Sequence, residues 1–392
     1  MRPSRSDPVG AGTRMPVSTV PGRSASRKSM RGRVGVAMRE STEVMRLADH
    51  FRNAPSVFTS SPLYRSLCMS AADDRDLLEI LTERRAGQQP SYLLLGAVHY
   101  LLLRGVRHRL RDFYPSLVGS AAADPNDAGP VFLDFCRVHR AELRRLVRER
   151  LVQTNVVKRS VALKIAMSVI ADRCDRPVHL IEVGASAGVH LLFDRYRYVI
   201  SGRTSGPADA DVTIETKWLG SDLPPAYDRC PPIAGRTGVD INPVDVTDPD
   251  ERLWLRALVW PENQQEADLL SAAFHQLIEY PVDVIAGDAI DICPSLGRRL
   301  PPGEPRVVFH AATRMHVPPA QRAEFDSAID SIGEHGPLFH VWQEPSTAPP
   351  RGSGTDVPEA LAMHGPDGID PIPLIQVDGH LEWIAPLTVE VR

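Results

Sequence analysis

The sequence predicts an α/β protein, with a doubly wound, mostly parallel sheet preceded by an all-helical region. Three observations predict it. Beyond Pro177 short apolar runs alternate with helical periodicities, from His179-Leu-Ile-Glu-Val183 through Val282–Ala286, Arg306–His310 and Leu338–Trp342. Before Cys174 the apolar residues recur at helical spacing, as Val44, Leu47, Ala48 and Phe51 do. Finally, the first strand enters a turn of small residues, Gly184-Ala-Ser-Ala-Gly188, followed by an apolar helix start at Val189, Leu191, Leu192 and Phe193. Open α/β sheets use that arrangement to bring backbone N–H groups to a ligand.

In chain order, residues 1–40 carry nine Lys/Arg against Asp7 and Glu40, hence +7. The chain's formal charge of −4 therefore leaves −11 on residues 41–392. The tail has almost no large apolar side chains and reads as disordered and basic. It lacks the apolar stretch of a secretory signal, and Met38 offers an alternative start. The acidic body argues against a nucleic-acid partner.

Residues 41–175 form the helical region. Ser61-Pro62 reads as an N-cap with Pro at the first helical position. Helices are expected at Asp74–Arg84, Ser91–Arg104, Val131–Gln153 and Arg159–Cys174. The arginines of the third have Glu142 and Glu149 interleaved, the pattern of a solvated face. The longest apolar run, Leu93–Leu103, is too short to span a bilayer and is broken by Gly96 and His99. Five scattered cysteines form no C-x-x-C pair, which points to a reducing cytoplasm.

Residues 176–392 hold the alternating elements. An inserted hairpin is expected near 196–218, and a short strand ends in Asp240. Helices are expected over Glu251–Val259, Glu262–Glu279 and Pro319–Ile332, and a Pro/Gly/Ser-rich loop over 345–370. Asp378-Gly379 signals a tight type I′ turn between two closing strands.

The turn fits two chemistries. As Gly184-x-Ser186-x-Gly188 it matches a nucleophile elbow, with Ser186 as nucleophile of a serine hydrolase. An elbow also needs an oxyanion-hole segment on an earlier strand, and everything before residue 176 reads as helical. As a cradle it offers backbone donors, with Glu182, Asp240 and Asp288 converging from three strand ends to accept hydrogen bonds.

Glu182-x-Gly184-x-x-x-Gly188 resembles the first motif of class I S-adenosylmethionine-dependent methyltransferases. Gly238-Val-Asp-Ile-Asn-Pro243 resembles their second-strand segment, and Gly287-Asp288-Ala289 their third-strand turn. The resemblance implies a Rossmann-like fold and S-adenosylmethionine as cofactor. It implies that Glu182, Gly184, Ala185, Ser186 and Gly188 form the cofactor turn, with Asp240 on the ribose and Asp288 and Ala289 beside the adenine. Residues 307–318 resemble the loop where substrate meets the methyl group. His310 and Arg314 are the candidate catalytic pair, and a small molecule is the implied acceptor. Ser186 stands where the family's middle glycine is usual. That departure keeps open a non-catalytic or degenerate nucleotide-binding module. Residues 41–392 also resemble an uncharacterised bacterial family through Gly-Ala-Ser-Ala-Gly, Phe-Asp-Arg-Tyr-Arg-Tyr (193–198) and Leu-Val-Trp-Pro-Glu (258–262). No residue set has the spacing of a metal site.

Overall fold

The computed structural model describes residues 42–221, 223, 227–347, 359–366 and 372–387; the basic tail lies outside them. The helical region comprises α1 (42–53), α2 (Pro62–Ala72), α3 (Arg75–Leu81), α4 (Pro90–Leu103), α5 (Pro115–Val118), α6 (Ala128–Val138), α7 (Arg140–Glu149) and α8 (Ser160–Ala171). Ser61 caps α2 by accepting from the Tyr64 N–H (3.2 Å), with Pro62 opening the helix, and Asp74 caps α3 likewise.

The single long helix expected at 131–153 is instead two. His139 departs from helical geometry (φ −102°, ψ 26°) between α6 and α7, and Arg150 is extended. Arg150 is drawn out of the helix by Asp250 and Glu251. Arg144 and Arg148 both meet Glu83, so this basic face is largely paired within the fold.

Next come β1 (Val178–Val183), β2 (Arg197–Ile200), β3 (Arg203–Ser205), β4 (Thr213–Trp218), β5 (Ile233–Asp240), α9 (Pro249–Ala257), α10 (Gln264–Glu279) and β6 (Asp283–Ala286). The chain continues through α11 (Ala289–Arg299), β7 (Arg306–Ala311), α12 (Arg322–Ser331), β8 (Leu338–Pro345), β9 (Glu359–His364), β10 (Ile372–Val377) and β11 (Trp383–Ala385). All strands join one sheet in the order β3-β2-β4-β11-β10-β9-β8-β7-β1-β5-β6. The run β6-β5-β1-β7-β8 is parallel, and β9, β10 and β11 continue it as an antiparallel meander. From β1 the chain reaches β5 and β6 on one side, then crosses to β7 on the other. The order therefore reverses between β1 and β7, the position at which open sheets bind ligands.

Both faces of the parallel run are covered. α11 and α12 pack on Ile181, Val183 and Val308; α8, α10 and the helical region cover Leu180, Phe309 and Val341 in a core continuous with α1 and α2. A mixed α/β fold with a large, mostly parallel sheet is thus present.

Several local expectations change. The insertion near 196–218 is not a simple hairpin. Only β2 and β3 form one; β4 lies parallel to β2 and pairs with β11, so the segment builds the sheet's far edge. This lets β5 lie directly against β1. Glu262 does not start α10; it caps α2, accepting from Ser61 Oγ (2.7 Å) and the Leu63 N–H (3.1 Å). With Trp260 packed on Phe58 and His380, the 258–262 segment fastens the helical region to the sheet. The β10–β11 connection is longer than a type I′ turn. Val377 pairs with Ile384, and the left-handed residue is Leu381 (φ 57°) rather than Gly379. β9 falls within the stretch expected to be loop, of which 348–358 and 367–370 lie outside the described residues.

Candidate functional site

The carboxyl ends of β1, β5, β6 and β7 are built around one tightly wound turn. Gly184, Ser186 and Gly188 all take left-handed backbone angles (φ 78°, 51° and 82°). The chain folds back so that the Gly184 and Ala185 N–H groups both donate to the Val239 carbonyl, at 2.8 and 3.2 Å. At Gly184 a Cβ would collide with the Thr313 side chain, whose hydroxyl donates to the Val183 carbonyl (3.2 Å). Ser186 holds its left-handed conformation without being glycine, at a cost of about 1–2 kcal/mol. Three contacts offset it: its N–H donates to Asp240 Oδ2 (2.7 Å), its carbonyl accepts from Val244 N–H (3.1 Å), and its Oγ accepts from Asn155 Nδ2 (3.0 Å). Ala312, just past β7, is the second non-glycine held left-handed at this edge (φ 49°). Strain of this kind concentrates at ligand sites.

The helix expected after the turn is a short 3-10 segment, Val189–Arg195, so no α-helix N-terminus follows the turn itself. The turn's donors are directed to protein acceptors: the Ala187 N–H reaches Asn155 Oδ1 (3.4 Å) and the Gly188 N–H reaches the Ala185 carbonyl (2.7 Å). Asn155 belongs to an extended strap, residues 151–156, laid across the turn by the helical region. Trp254 Nε1 holds its Leu151 carbonyl (2.8 Å), and Gln153 reaches the second strand end.

There Asp240 accepts from the Asn242 N–H (2.8 Å) and from Gln153 Nε2 (3.1 Å) through the same oxygen. The next residue, Ile241, is 75% exposed, an apolar side chain standing in solvent beside a carboxylate. The Gly287 N–H donates to the Asp240 carbonyl (2.9 Å), which ties the β5 and β6 ends together. Asp288 is exposed and caps α11 by accepting from Ile290 N–H (2.9 Å); Ala289 is buried behind it.

Glu182 lies inside the strand rather than at its end. It is buried, with His190 Nδ1 at 2.6 Å from its Oε1. His190 Nε2 lies 3.0 Å from the Val156 carbonyl, which can only accept, so Nε2 carries a proton. Burial raises the Glu182 carboxyl above its ordinary range, against the opposing pull of the neighbouring His190. Its second oxygen, Oε2, is buried without a hydrogen-bond partner among the described residues.

His310 and Arg314 face the other side of the sheet and are used by the fold. His310 is fully buried; its Nδ1 meets Glu344 Oε1 (2.8 Å) and its Nε2 meets His340 Nε2 (3.0 Å). The same Glu344 oxygen accepts the Thr313 and Arg314 N–H groups at 2.8 Å each. Arg314 is buried in a two-pronged bond to Asp326 (2.7 and 2.8 Å). Both side chains therefore position the 312–316 loop, and neither reaches an open face. For Ser186, no histidine among the described residues is within hydrogen-bonding reach, so the elbow lacks a base.

The matching family model covers residues 48–385 and is described as "Uncharacterized protein conserved in bacteria" (DUF2332). The chain belongs to the DUF2332 family. No curated protein matches it. In this DUF2332 chain the structure unites Gly184, Ala185, Ser186, Gly188 and Asp240 in one hydrogen-bonded unit, with Asp288 and Ala289 on the adjoining strand end. Glu182 lies beneath that unit, and His310 and Arg314 lie outside it. The roles of Gln153 and Asn155 are hidden in the sequence because 131–153 carries helical periodicity. The signal that marks them is the β-branched and Asx run Thr154-Asn-Val-Val157, poor in helix propensity.

Proposed function

We propose that the carboxyl edge of β1, β5 and β6 binds S-adenosylmethionine and that the protein transfers its methyl group to a small molecule. The observation that carries the reading is the pairing of Asp240 with Ile241. A carboxylate that already accepts from neutral N–H donors stands next to an exposed aliphatic side chain, suiting a ribose hydroxyl pair beside a flat base. Gln153 donates to Asp240 in the place a hydroxyl donor would take, so the strap exchanges one hydrogen bond for another when a nucleoside enters. Asp288 presents a second acceptor at the neighbouring strand end. The cofactor supplies the activated methyl group; the chain's task is to orient the acceptor and exclude water. His316 is the histidine of the 312–316 loop with an exposed edge. Desolvation of the rest of its ring, and Arg159 nearby, lower its pKa, leaving it neutral at pH 7 and able to take the acceptor's proton.

Calorimetry with S-adenosylmethionine and S-adenosylhomocysteine tests the site before any acceptor is known. Binding weakened at least tenfold, on the order of the 1.5–3 kcal/mol of a charge-assisted hydrogen bond, is expected for Asp240→Ala. Absence of binding by either nucleoside overturns the reading. The internal engagement of His310 and Arg314 favours a second reading, a binding module without turnover. Nucleoside binding with no methyl transfer across a panel of small acceptors would select it.

A further inference from the structure

On the face of the sheet covered by the helical region, the polar atoms buried without a partner among the described residues include Arg159 Nε, Glu182 Oε2 and Gln343 Oε1. The pairing register shows why they belong together. Glu182 is level with Phe309, and Phe309 with Val341, all facing the same core; Gln343, two residues beyond Val341, and Ala311, two beyond Phe309, face that way too. β7 lies between β1 and β8, with Phe309 beside Glu182 and the small Ala311 beside Gln343, at the point where the strand order reverses. Arg159 enters from the start of α8, which packs on β8 and β9. Its side chain makes no hydrogen bond or ion pair among the described residues, although Glu359, Glu344 and Glu182 all act on it electrostatically. Gln343 Nε2 donates to Glu359 Oε1 (2.7 Å), which commits that carboxylate elsewhere and leaves the amide oxygen facing the cluster.

A half-buried arginine whose Nε is closed off from solvent and whose side chain forms no ion pair among the described residues, near two buried acceptors without donors, is an expensive arrangement unless a ligand completes it. One planar cationic fork matches a carboxylate. Two acceptors close by match an N–H or O–H group on the same molecule. We infer that this cluster of unpartnered groups binds a small amino or hydroxy acid, its carboxylate on Arg159 and its amine or hydroxyl toward Glu182 and Gln343. This names the class of acceptor for the proposed methyl transfer, and it rests on that reading only for the claim that the bound acid is methylated.

The test therefore measures acid binding without cofactor. L-Alanine, L-lactate, L-alanine methyl ester and inorganic phosphate are titrated into the full chain, read by thermal unfolding and calorimetry. The expected result is stabilisation by alanine or lactate and none by the ester, with Arg159→Gln raising Kd by about tenfold or more. Ala311→Leu removes no charge and adds bulk beside Gln343, and it too abolishes the effect. Stabilisation by the ester as strong as by the free acid, by phosphate alone, or undiminished in Arg159→Gln and Ala311→Leu overturns the inference, as does no response to any probe. S-Adenosylhomocysteine binding, measured in parallel, reports the cofactor reading separately, and its retention in both variants shows that they are folded.

Discussion

Gln153 and Asp240, 87 residues apart, are joined by a 3.1 Å hydrogen bond that carries the helical region's strap onto the second strand end. The same oxygen of Asp240 also holds the Asn242 N–H, and Gln153 Oε1 accepts from Asn242 Nδ2 (2.8 Å). The strap therefore competes with any hydroxyl-bearing ligand for the one carboxylate that would recognise it. Gln153→Ala removes the competitor and leaves Asp240 and the turn intact. Its expected effect is tighter S-adenosylhomocysteine binding by about two- to tenfold, the worth of one neutral hydrogen bond of ~0.5–1.5 kcal/mol. Calorimetry on the variant checks this, and weaker binding would make Gln153 part of the ligand's contact set.

The buried Glu182–His190 pair tests how its proton is shared. Glu182→Gln preserves a donor toward His190 Nδ1 while the Val156 carbonyl still receives Nε2–H. If Glu182 is protonated in the fold, the variant loses little stability at pH 7. Its raised folded pKa also gives a sign: stability from this group is fully present below pH 4.5 and declines as pH rises through the folded value, a decline the variant removes. Glu182→Leu leaves Nδ1 unpaired and costs about 1–3 kcal/mol. Urea unfolding between pH 4 and 8 distinguishes them, and a large loss in Glu182→Gln at pH 7 would establish an ion pair instead.

How far the sequence reveals this site depends on which residues are asked about. β1, β7 and β8 are buried on both faces and read as apolar runs, so their number and chain order were visible. α11 was not: Pro294 sits in its interior, and a proline there normally ends a helix. β9 was hidden in a composition that reads as loop. The Gly184–Gly188 turn was visible as a turn, but the Thr313 side chain that forbids a Cβ at Gly184 comes from 129 positions away along the chain. Asp240 was found because it ends a strand, while its partners Gln153 and Asn155 depend on where α7 stops. That stop is set by Arg150 meeting Asp250 and Glu251, a contact across some hundred residues. His310 and Arg314 had the right position on the chain and the wrong direction, which a strand's alternation sets only once its neighbours are known.

The 312–316 loop should fail in acid before the rest of the fold. Burial and the neighbouring His310 lower the His340 pKa well below 6.5, so it is neutral in the fold and its contribution is lost as pH falls below that value. Glu344 is held below the ordinary carboxylate range despite its burial, by His310 and the loop N–H groups, so its contribution is lost at lower pH still, as it protonates. Glu344→Gln is expected to cost about 3 kcal/mol, because it removes the charge that three backbone donors and His310 share. Hydrogen exchange at residues 313–315 is expected to accelerate in the variant at pH 7, and in the wild type as pH falls through both steps. Unchanged exchange in Glu344→Gln would show that the loop is held by other contacts.

Ser186 offers a comparison in which backbone and side-chain effects separate. Ser186→Gly relieves a left-handed conformation at φ 51° and gives up the Asn155 hydrogen bond; the two changes are each about 1 kcal/mol and opposite in sign. Ser186→Ala keeps the strained backbone and loses the same bond, leaving Asn155 Nδ2 to the Gln153 carbonyl at 3.4 Å. The order of stability expected from urea unfolding is therefore wild type close to Ser186→Gly, with Ser186→Ala lower by about 1 kcal/mol. The backbone contacts to Asp240, Val244 and Val239 do not depend on the side chain, so the glycine variant keeps the cradle and should bind S-adenosylhomocysteine at least as well as the wild type. A glycine variant that is folded but binds the nucleoside more weakly would make the Ser186 hydroxyl a ligand contact rather than a tether for the strap.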